Sequence, residues 1–194
     1  DAPPLSVEAM GTVTTTIGEK DEMVAVPIKV AFPLSSVFRW KYAPSSYYGP
    51  FDLYWYDGGM KPPNPPELEA EDKVLQSEGM MFVGDKGKIL AGFRCENPVI
   101  IPESRMIAFS GSAVSPKAES FDSTNVWIEA ILNNKQSPGS IKNASSVLET
   151  AHLGAVALRA GSKILYDSNN MKITNIAEAN RFLYRSEYRQ GWEI

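Results

Sequence analysis

The period of the hydrophobic pattern changes about two thirds of the way along the chain, and this change constrains the fold more than any other feature. Before it, apolar residues alternate with polar ones, as they do in half-buried strands. After it, apolar residues recur at helical spacing. Strands first and helices later, rather than strict β-α alternation, predict an α+β fold whose largely antiparallel, open-faced sheet is covered by helices on one face.

The strand-like part of the sequence contains five short apolar stretches, at residues 24–32, 38–42, 51–56, 80–83 and 89–91. The first has Val24, Val26, Ile28, Val30 and Phe32 at alternate positions. Its prolines, Pro27 and Pro33, permit no more than an edge strand there, because proline donates no ladder hydrogen bond. The last two stretches flank the glycine-containing segment 84–88, which predicts a β-hairpin.

The segments between and after these strands carry other signals. Lys61–Pro66 has four prolines in six residues and predicts an extended connector that is neither helix nor central strand. In the last third, residues 121–132 predict one helix. A second is predicted to begin at a capping box of Ser146 and Glu149 and to stop at Gly161. A short strand at 163–166 and a final helix at 177–184 complete the prediction.

Aromatic and apolar side chains occupy both faces of the predicted strand 51–56. Leu53 and Trp55 alternate there with Tyr54 and Tyr56. A sheet with helices on one face alone would leave the other group in water, so the second face is expected to meet another subunit or another domain. Stacking of these rings on a sugar is the alternative use of the same residues.

Composition is that of a folded globular protein. The 194 residues are 43% apolar and 22% charged, and they predict a single domain over residues 1–194. With a net charge of -4 and no cluster of basic residues, nucleic acid binding is not expected. No apolar stretch reaches the roughly 20 residues that span a bilayer. The start, Asp1 to Pro4, has no signal-peptide features, which predicts a chain that is cytoplasmic, processed or cut from a longer one.

Groups suited to catalysis are few in this sequence. The one cysteine, Cys95, is interpreted as a small structural hydrophobe, and the one histidine, His152, as a hydrogen-bonded packing residue. One of each is too few for a zinc or iron site. The sequence also lacks the GxGxxG fingerprint of dinucleotide binding. No catalytic, cofactor-binding or metal-binding residue is therefore predicted in this chain.

Several strings taken together resemble the C-terminal domain of bacterial oxidoreductases of the glucose-fructose oxidoreductase and inositol dehydrogenase (Gfo/Idh/MocA) family. They span residues 33–192 and comprise residues 55–63, 79–88, 97–98, 101–103, 152–154, 157–161, 175, 179–180 and 188–192. The resemblance implies a dihydrodipicolinate reductase-like α+β domain that partners a Rossmann domain in the parent enzyme. It also implies that the open sheet serves a substrate pocket and a homo-oligomer interface.

Members of that family exchange a hydride between NAD or NADP and a sugar, inositol or related polyol. The family's catalytic Lys and His motifs have no counterpart in this sequence. The resemblance therefore implies that this chain helps to bind the substrate, and that the Rossmann domain of the parent enzyme binds the nicotinamide cofactor. The residues expected to line the substrate pocket are Arg39, Lys41, Tyr56, Asp57 and Lys61, on or just beyond strands of polar-aromatic alternation.

Two other functions remain open at this point. The aromatic clusters and the missing catalytic groups are also typical of a free-standing carbohydrate-binding or assembly module. Alternatively, the resemblance also admits a parent that is a nicotinamide-dependent glycosidase. The compartment, cytoplasm or periplasm, is left open, as are the substrate and the choice between NAD and NADP.

Overall fold

A computed structural model describes residues 3–26, 32–115, 122–185 and 187–192. The chain divides into two compact units. The first combines Asp1–Met60 with Ala130–Ile194, and the second, Lys61–Glu129, is inserted between those two segments. The single domain expected over residues 1–194 stays a prediction.

The elements follow in this order along the chain. The first segment contains five strands, β1 (Ser6–Gly11), β2 (Thr14–Ile17), β3 (Met23–Val26), β4 (Ser36–Tyr42) and β5 (Phe51–Tyr56). The inserted unit contains α1 (Pro66–Glu69), β6 (Met80–Gly84), β7 (Gly87–Ala91), β8 (Val99–Ile101) and α2 (Glu103–Ser110). Helix α3 (Ser123–Leu132) crosses the boundary between the units, and α4 (Ile141–Ala160), β9 (Ile164–Asp167), β10 (Lys172–Ile173) and a 3-10 helix (Ala177–Phe182) follow.

The first unit is built on a five-stranded sheet with the order β10-β9-β1-β4-β5. All four neighbouring pairs in it are antiparallel. Strand β1 lies in the middle and pairs with β4 on one side and with β9 on the other, where Val7 lies opposite Ile164. The prediction of an α+β fold with mostly antiparallel strands is confirmed.

One face of this sheet packs against α4. The core there joins Val7, Trp40 and Ile164 of the sheet to Leu153 and Ala157 of the helix, and all five are buried. Close approach depends on Gly154, where an added Cβ would lie 2.8 Å from Cζ2 of Trp40. The Trp40 indole Nε1 also donates a hydrogen bond of 2.8 Å to the carbonyl of Thr150. The tryptophan is thereby fixed against the helix, since its one polar atom is satisfied.

The end predicted for α4 is confirmed and its predicted start is wrong. Gly161 follows the last turn in the left-handed conformation, with φ of 62°. The helix begins at Ile141, after Ser140 in extended conformation, so Ser146 lies inside it. Nothing between Ile141 and Ser146 interrupts a helix, and a Ser followed three residues later by Glu is a signal that also occurs in helix interiors.

The second unit contains the predicted hairpin and two helices that the pattern did not reveal. Strands β6 and β7 pair from Met80 opposite Ala91 to Gly84 opposite Gly87, and β8 adds a third strand. The prediction of an extended connector over Lys61–Pro66 is wrong at its last residue, because Pro66 begins helix α1. A proline at the first helical position loses no hydrogen bond, since that N–H has no partner inside a helix.

Other boundaries differ modestly from the predictions. The strand expected at 24–32 is observed as β3, Phe32 lies outside any strand, and Ile28 and Val30 lie outside the described residues. Helix α3 is described from Ser123, and Phe121, its predicted start, lies outside the described residues. The final helix is a shorter 3-10 helix. In the part of the chain described, no helix has both the length and the apolar character needed to cross a membrane.

Candidate functional site

The face of the five-stranded sheet opposite α4, called the open face below, carries a mixed group of charged and aromatic side chains. Phe38, Trp40 and Tyr42 of β4 belong to the core under α4. Because side chains alternate along a strand, the residues between them, Arg39 and Lys41, lie on the open face.

The pairing register places the other members of this face. Tyr54 lies opposite Arg39, Asp52 opposite Lys41 and Tyr56 opposite Val37. On the other side of β4, Glu8 of β1 lies opposite Arg39. Residues opposite each other in a ladder share a face, so four strands contribute to one surface once Leu165 of β9, opposite Ser6, is included.

Arg39 is the centre of the hydrogen bonding on the open face. Its Nε donates to Oδ2 of Asp52 at 2.9 Å, and its Nη2 donates to the same oxygen. Oε2 of Glu8 lies 3.8 Å from Nη1 of Arg39. Oε1 of Glu8 forms an ion pair of 3.1 Å with the ammonium of Lys163. The hydrogen bonds that Arg39 donates to Asp52 raise the pKa of Arg39 above its ordinary value, so the guanidinium is charged at any physiological pH.

Two tyrosines extend this network across β5. The rings of Tyr54 and Tyr56 stack with centroids 6.3 Å apart and planes at 18°. The guanidinium carbon of Arg39 lies 5.7 Å from the centroid of Tyr54. Tyr54 is 46% exposed, so one side of its ring is open to a ligand or to another protein surface. Flat rings beside charged hydrogen-bonding groups suit both the C–H faces and the hydroxyls of a sugar.

These interactions do not account for the stability of the sheet. Arg39, Glu8 and Asp52 are all partly exposed, and exposed ion pairs contribute about 0–1 kcal/mol each. The buried residues under α4 supply the packing instead. Several charged and aromatic groups held in fixed relative positions without much gain in stability are typical of a binding surface.

Three of the five residues predicted to line a substrate pocket share the open face, and two do not. Arg39, Lys41 and Tyr56 lie there together. Lys61 belongs to the second unit, where its ammonium donates to the carbonyl of Leu75 at 2.9 Å. Asp57 follows β5, and its carboxylate is bound by Ser36 at the start of β4.

Asp57 holds the start of β4 against the end of β5. Its Oδ1 accepts from the backbone N–H of Ser36 at 2.6 Å, and both carboxylate oxygens lie within 2.9 Å of the Ser36 hydroxyl. These contacts bring two protons to the carboxylate, one from the N–H and one from the hydroxyl of Ser36, so they fix its orientation and leave it further acceptor capacity. Its geometry is that of a residue that positions Tyr56, and its role as a direct ligand stays a prediction.

Sequence reasoning missed four members of the open face, namely Glu8, Asp52, Tyr54 as a site residue, and Lys163. Glu8 was missed because β1 was not predicted at all, and Lys163 because β9, which begins at the next residue, pairs with β1 from far along the sequence. A signal for Asp52 existed, since residues 38–42 and 51–56 could have been aligned as a hairpin that sets opposite charges across from each other.

The two residues interpreted as structural are both on the surface. Cys95 is exposed in a turn with φ of 61°, and His152 is exposed on α4, so neither side chain packs as its interpretation from the sequence expected. His152 directly precedes the buried Leu153 on α4, so the side chain of Leu153 enters the core and the imidazole of His152 does not. Among the described residues, no group of three His, Cys, Asp or Glu side chains could hold a metal ion.

Comparison with family models gives no match to this chain, and comparisons with curated proteins and with solved structures give none either. The open face therefore has to be interpreted from its own geometry. It combines a fixed guanidinium, carboxylates, lysines and two stacked tyrosines, and it offers binding and orientation of a polar ligand or a protein surface.

Proposed function

We propose that this chain is the substrate-binding and oligomerisation domain of an NAD(P)-dependent oxidoreductase that acts on a sugar or polyol. The observation that carries the proposal is the open face, where Arg39, Lys41 and Tyr56 lie together with Tyr54 and Asp52 on a surface that the fold does not require. The family resemblance supports it through the strings in residues 33–192. A dihydrodipicolinate reductase-like sheet and a nicotinamide cofactor bound by a companion Rossmann domain are parts of the same proposal.

In this role, the chain's residues bind and orient rather than transfer hydride. Arg39 and Lys41 would donate hydrogen bonds to hydroxyl oxygens, and the ring of Tyr56 would cover a C–H face of the substrate. Asp57 would hold Tyr56 in place through Ser36. Lys61 belongs to the proposed site as a prediction from sequence.

The activity test uses the complete gene product that contains this chain. It should reduce NAD or NADP in the presence of at least one member of a panel of glucose, myo-inositol and related polyols. Arg39→Ala and Lys41→Ala should each raise KM about tenfold or more, as loss of a charged hydrogen bond does. Lys20→Ala, on an exposed turn between β2 and β3, is the matched control. No nicotinamide reduction with any substrate, or unchanged kinetics in both variants, would contradict the proposal.

The oligomerisation part is tested separately by sedimentation of the 194-residue chain. Leu165 is 42% exposed on the open face, so Leu165→Asp should lower the fraction of oligomer. Met23→Asp, at a side chain 70% exposed on the β2-β3 hairpin, should leave that fraction unchanged. A monomeric wild-type chain at all concentrations would remove this part of the proposal.

A carbohydrate-binding module is the second candidate, favoured by the stacked and partly exposed pair Tyr54 and Tyr56. The two functions differ in what the chain does without a companion domain. Sugar binding by the chain alone, followed by tryptophan fluorescence and lost in Tyr54→Ala, would favour the module. Binding that requires the complete gene product would favour the oxidoreductase.

A further inference from the structure

The unit Lys61–Glu129 contains a cleft of its own, between the turn that joins β6 to β7 and helix α2. Its volume is about 620 Å³, and all of its lining residues belong to this unit. Small-molecule sites in proteins commonly have volumes of roughly 300–1,000 Å³. The cleft is therefore large enough for a small organic ligand.

One side of the cleft is apolar. Ile89 and Ile100 lie opposite each other in the β7-β8 ladder and share one face of the small sheet. Ala108 and Phe109 of α2 complete the apolar surface. Phe109 is 79% exposed and Ile89 is 40% exposed, so a ligand that covers them would remove a sizeable apolar area from water.

Three cationic residues are among those that line the cleft, Lys86, Lys88 and Arg105. Lys88 is already paired, with its ammonium 2.6 and 2.7 Å from the two carboxylate oxygens of Glu67. That pairing, with a smaller contribution from Arg105, lowers the pKa of Glu67. Within the described ranges, neither Lys86 nor Arg105 makes a hydrogen bond or an ion pair through its side chain.

The guanidinium of Arg105 has room at the cleft because Gly87, in the turn between β6 and β7, has no side chain. A Cβ on Gly87 would lie 2.6 Å from Nη1 of Arg105, so the guanidinium packs over the backbone of this glycine. Gly87 also has φ of 149°, a conformation that side chains disfavour. The turn thus requires glycine for its own geometry and leaves room for the guanidinium beside the apolar surface.

The charges around the cleft select the kind of anion. Glu67 pairs with Lys88, and Asp85 precedes Lys86 in the turn, so these two carboxylates and the three cations together leave one positive charge in excess. A single negative charge fits this balance better than a phosphate dianion does. A carboxylate also matches the two parallel N–H donors of a guanidinium in a way that a point charge does not.

We propose that this cleft binds a small organic monocarboxylate with an aromatic or branched apolar body. The carboxylate accepts hydrogen bonds from the guanidinium of Arg105, with Lys86 close by, and the apolar body packs on Phe109 and Ile89. The proposal rests on the second unit alone and does not depend on the function proposed for the open face.

The test is an NMR titration of the 194-residue chain with 3-phenylpropionate and with its neutral analogue, 3-phenylpropanamide. The acid should shift the backbone amide signals of Gly84, Gly87 and Arg105, and it should bind at least tenfold more tightly than the amide. Arg105→Gln should weaken binding of the acid about tenfold, which is the loss of a charge-assisted pair, and leave binding of the amide unchanged.

Two further variants complete the test. Phe109→Ala, at a largely exposed position, should weaken both ligands by a similar factor. Arg94→Gln removes an exposed arginine of the same unit that is not part of the cleft and should change neither. Equal affinity for acid and amide, an equal loss in Arg94→Gln and Arg105→Gln, no loss in Phe109→Ala, or tighter binding of inorganic phosphate than of the acid would each overturn the proposal. Absence of shifts at the cleft would overturn it as well.

Discussion

The two faces of the five-stranded sheet are made from the same strands and carry different kinds of side chain. The face under α4 holds buried apolar and aromatic residues, such as Val7, Trp40 and Ile164, and the indole N–H of Trp40 is hydrogen-bonded. The open face holds Arg39, Tyr54 and other partly exposed groups joined by ion pairs and ring stacking. The comparison teaches that the alternation of side chains separates the buried packing of the sheet from its exposed charged groups, so that each can be changed without the other.

The largest expected effect comes from the covered face. Trp40→Ala removes a side chain that is only 5% exposed, and its ring contacts with Phe38 and α4 are lost with it. We expect a loss of about 3–5 kcal/mol in the free energy of unfolding, measured by urea denaturation. Tyr54→Ala on the open face should cost about 1 kcal/mol or less. Equal losses in the two variants would break the comparison.

A smaller effect is expected where α4 approaches the sheet most closely. In Gly154→Ala the new methyl group would meet the rings of Trp40 and Phe38 at 2.8 and 3.1 Å. Overpacking of this kind costs about 1–3 kcal/mol, even though alanine favours a helix. Gly139→Ala, where no atom lies within 4 Å of the added Cβ, is the control and should be neutral or slightly stabilising. Calorimetric melting temperatures of both variants give the measurement.

The next effect concerns a polar pair at the border of the core. The hydroxyl of Tyr166 donates to Oε1 of Glu149 at 2.7 Å. Tyr166→Phe should cost about 1–2 kcal/mol, because the Glu149 carboxylate loses a partner in a half-buried place. Chemical denaturation at pH 7 measures this loss.

The same pair gives a pH dependence with a defined sign. Burial, and then the neighbouring Glu149, raise the pKa of Tyr166 above its ordinary value of 10.0. A raised pKa in the folded state means that the stabilisation is complete below pH 10 and is lost as pH rises through the folded value. The stability of the wild type should therefore fall above pH 10 more than that of Tyr166→Phe. Parallel curves for the two proteins would argue against the hydrogen bond.

The smallest effect on stability is expected at the centre of the open face. A double-mutant cycle of Arg39→Ala and Asp52→Ala should give a coupling energy below about 1 kcal/mol in unfolding experiments. The coupling should shrink further in 1 M salt, where charges are screened within about 3 Å. A coupling of several kcal/mol would mean that this face stabilises the fold after all.

The local parts of the fold could be predicted from sequence, and the long-range parts could not. The β6-β7 hairpin and the stop at Gly161 follow from turn glycines and nearby apolar residues, and both are observed. The central strand β1 gave no prediction, because its burial depends on α4 and β9, which come from the other end of the chain. The predicted site residues show the same division, since Arg39, Lys41 and Tyr56 lie on one pair of strands, whereas Glu8 on β1, which pairs with Arg39, was not predicted.

The pairing of Val7 with Ile164 has a consequence for synthesis of the protein. While the polypeptide emerges from a ribosome, one hydrogen-bonding edge of β1 stays without its neighbour until β9, far along the sequence, has been translated. Contacts between residues so far apart in sequence form slowly, because a long loop must close first. Nascent chains that stop short of β9 should thus be favoured clients of chaperones, whereas the β6-β7 hairpin can form as soon as it leaves the exit tunnel.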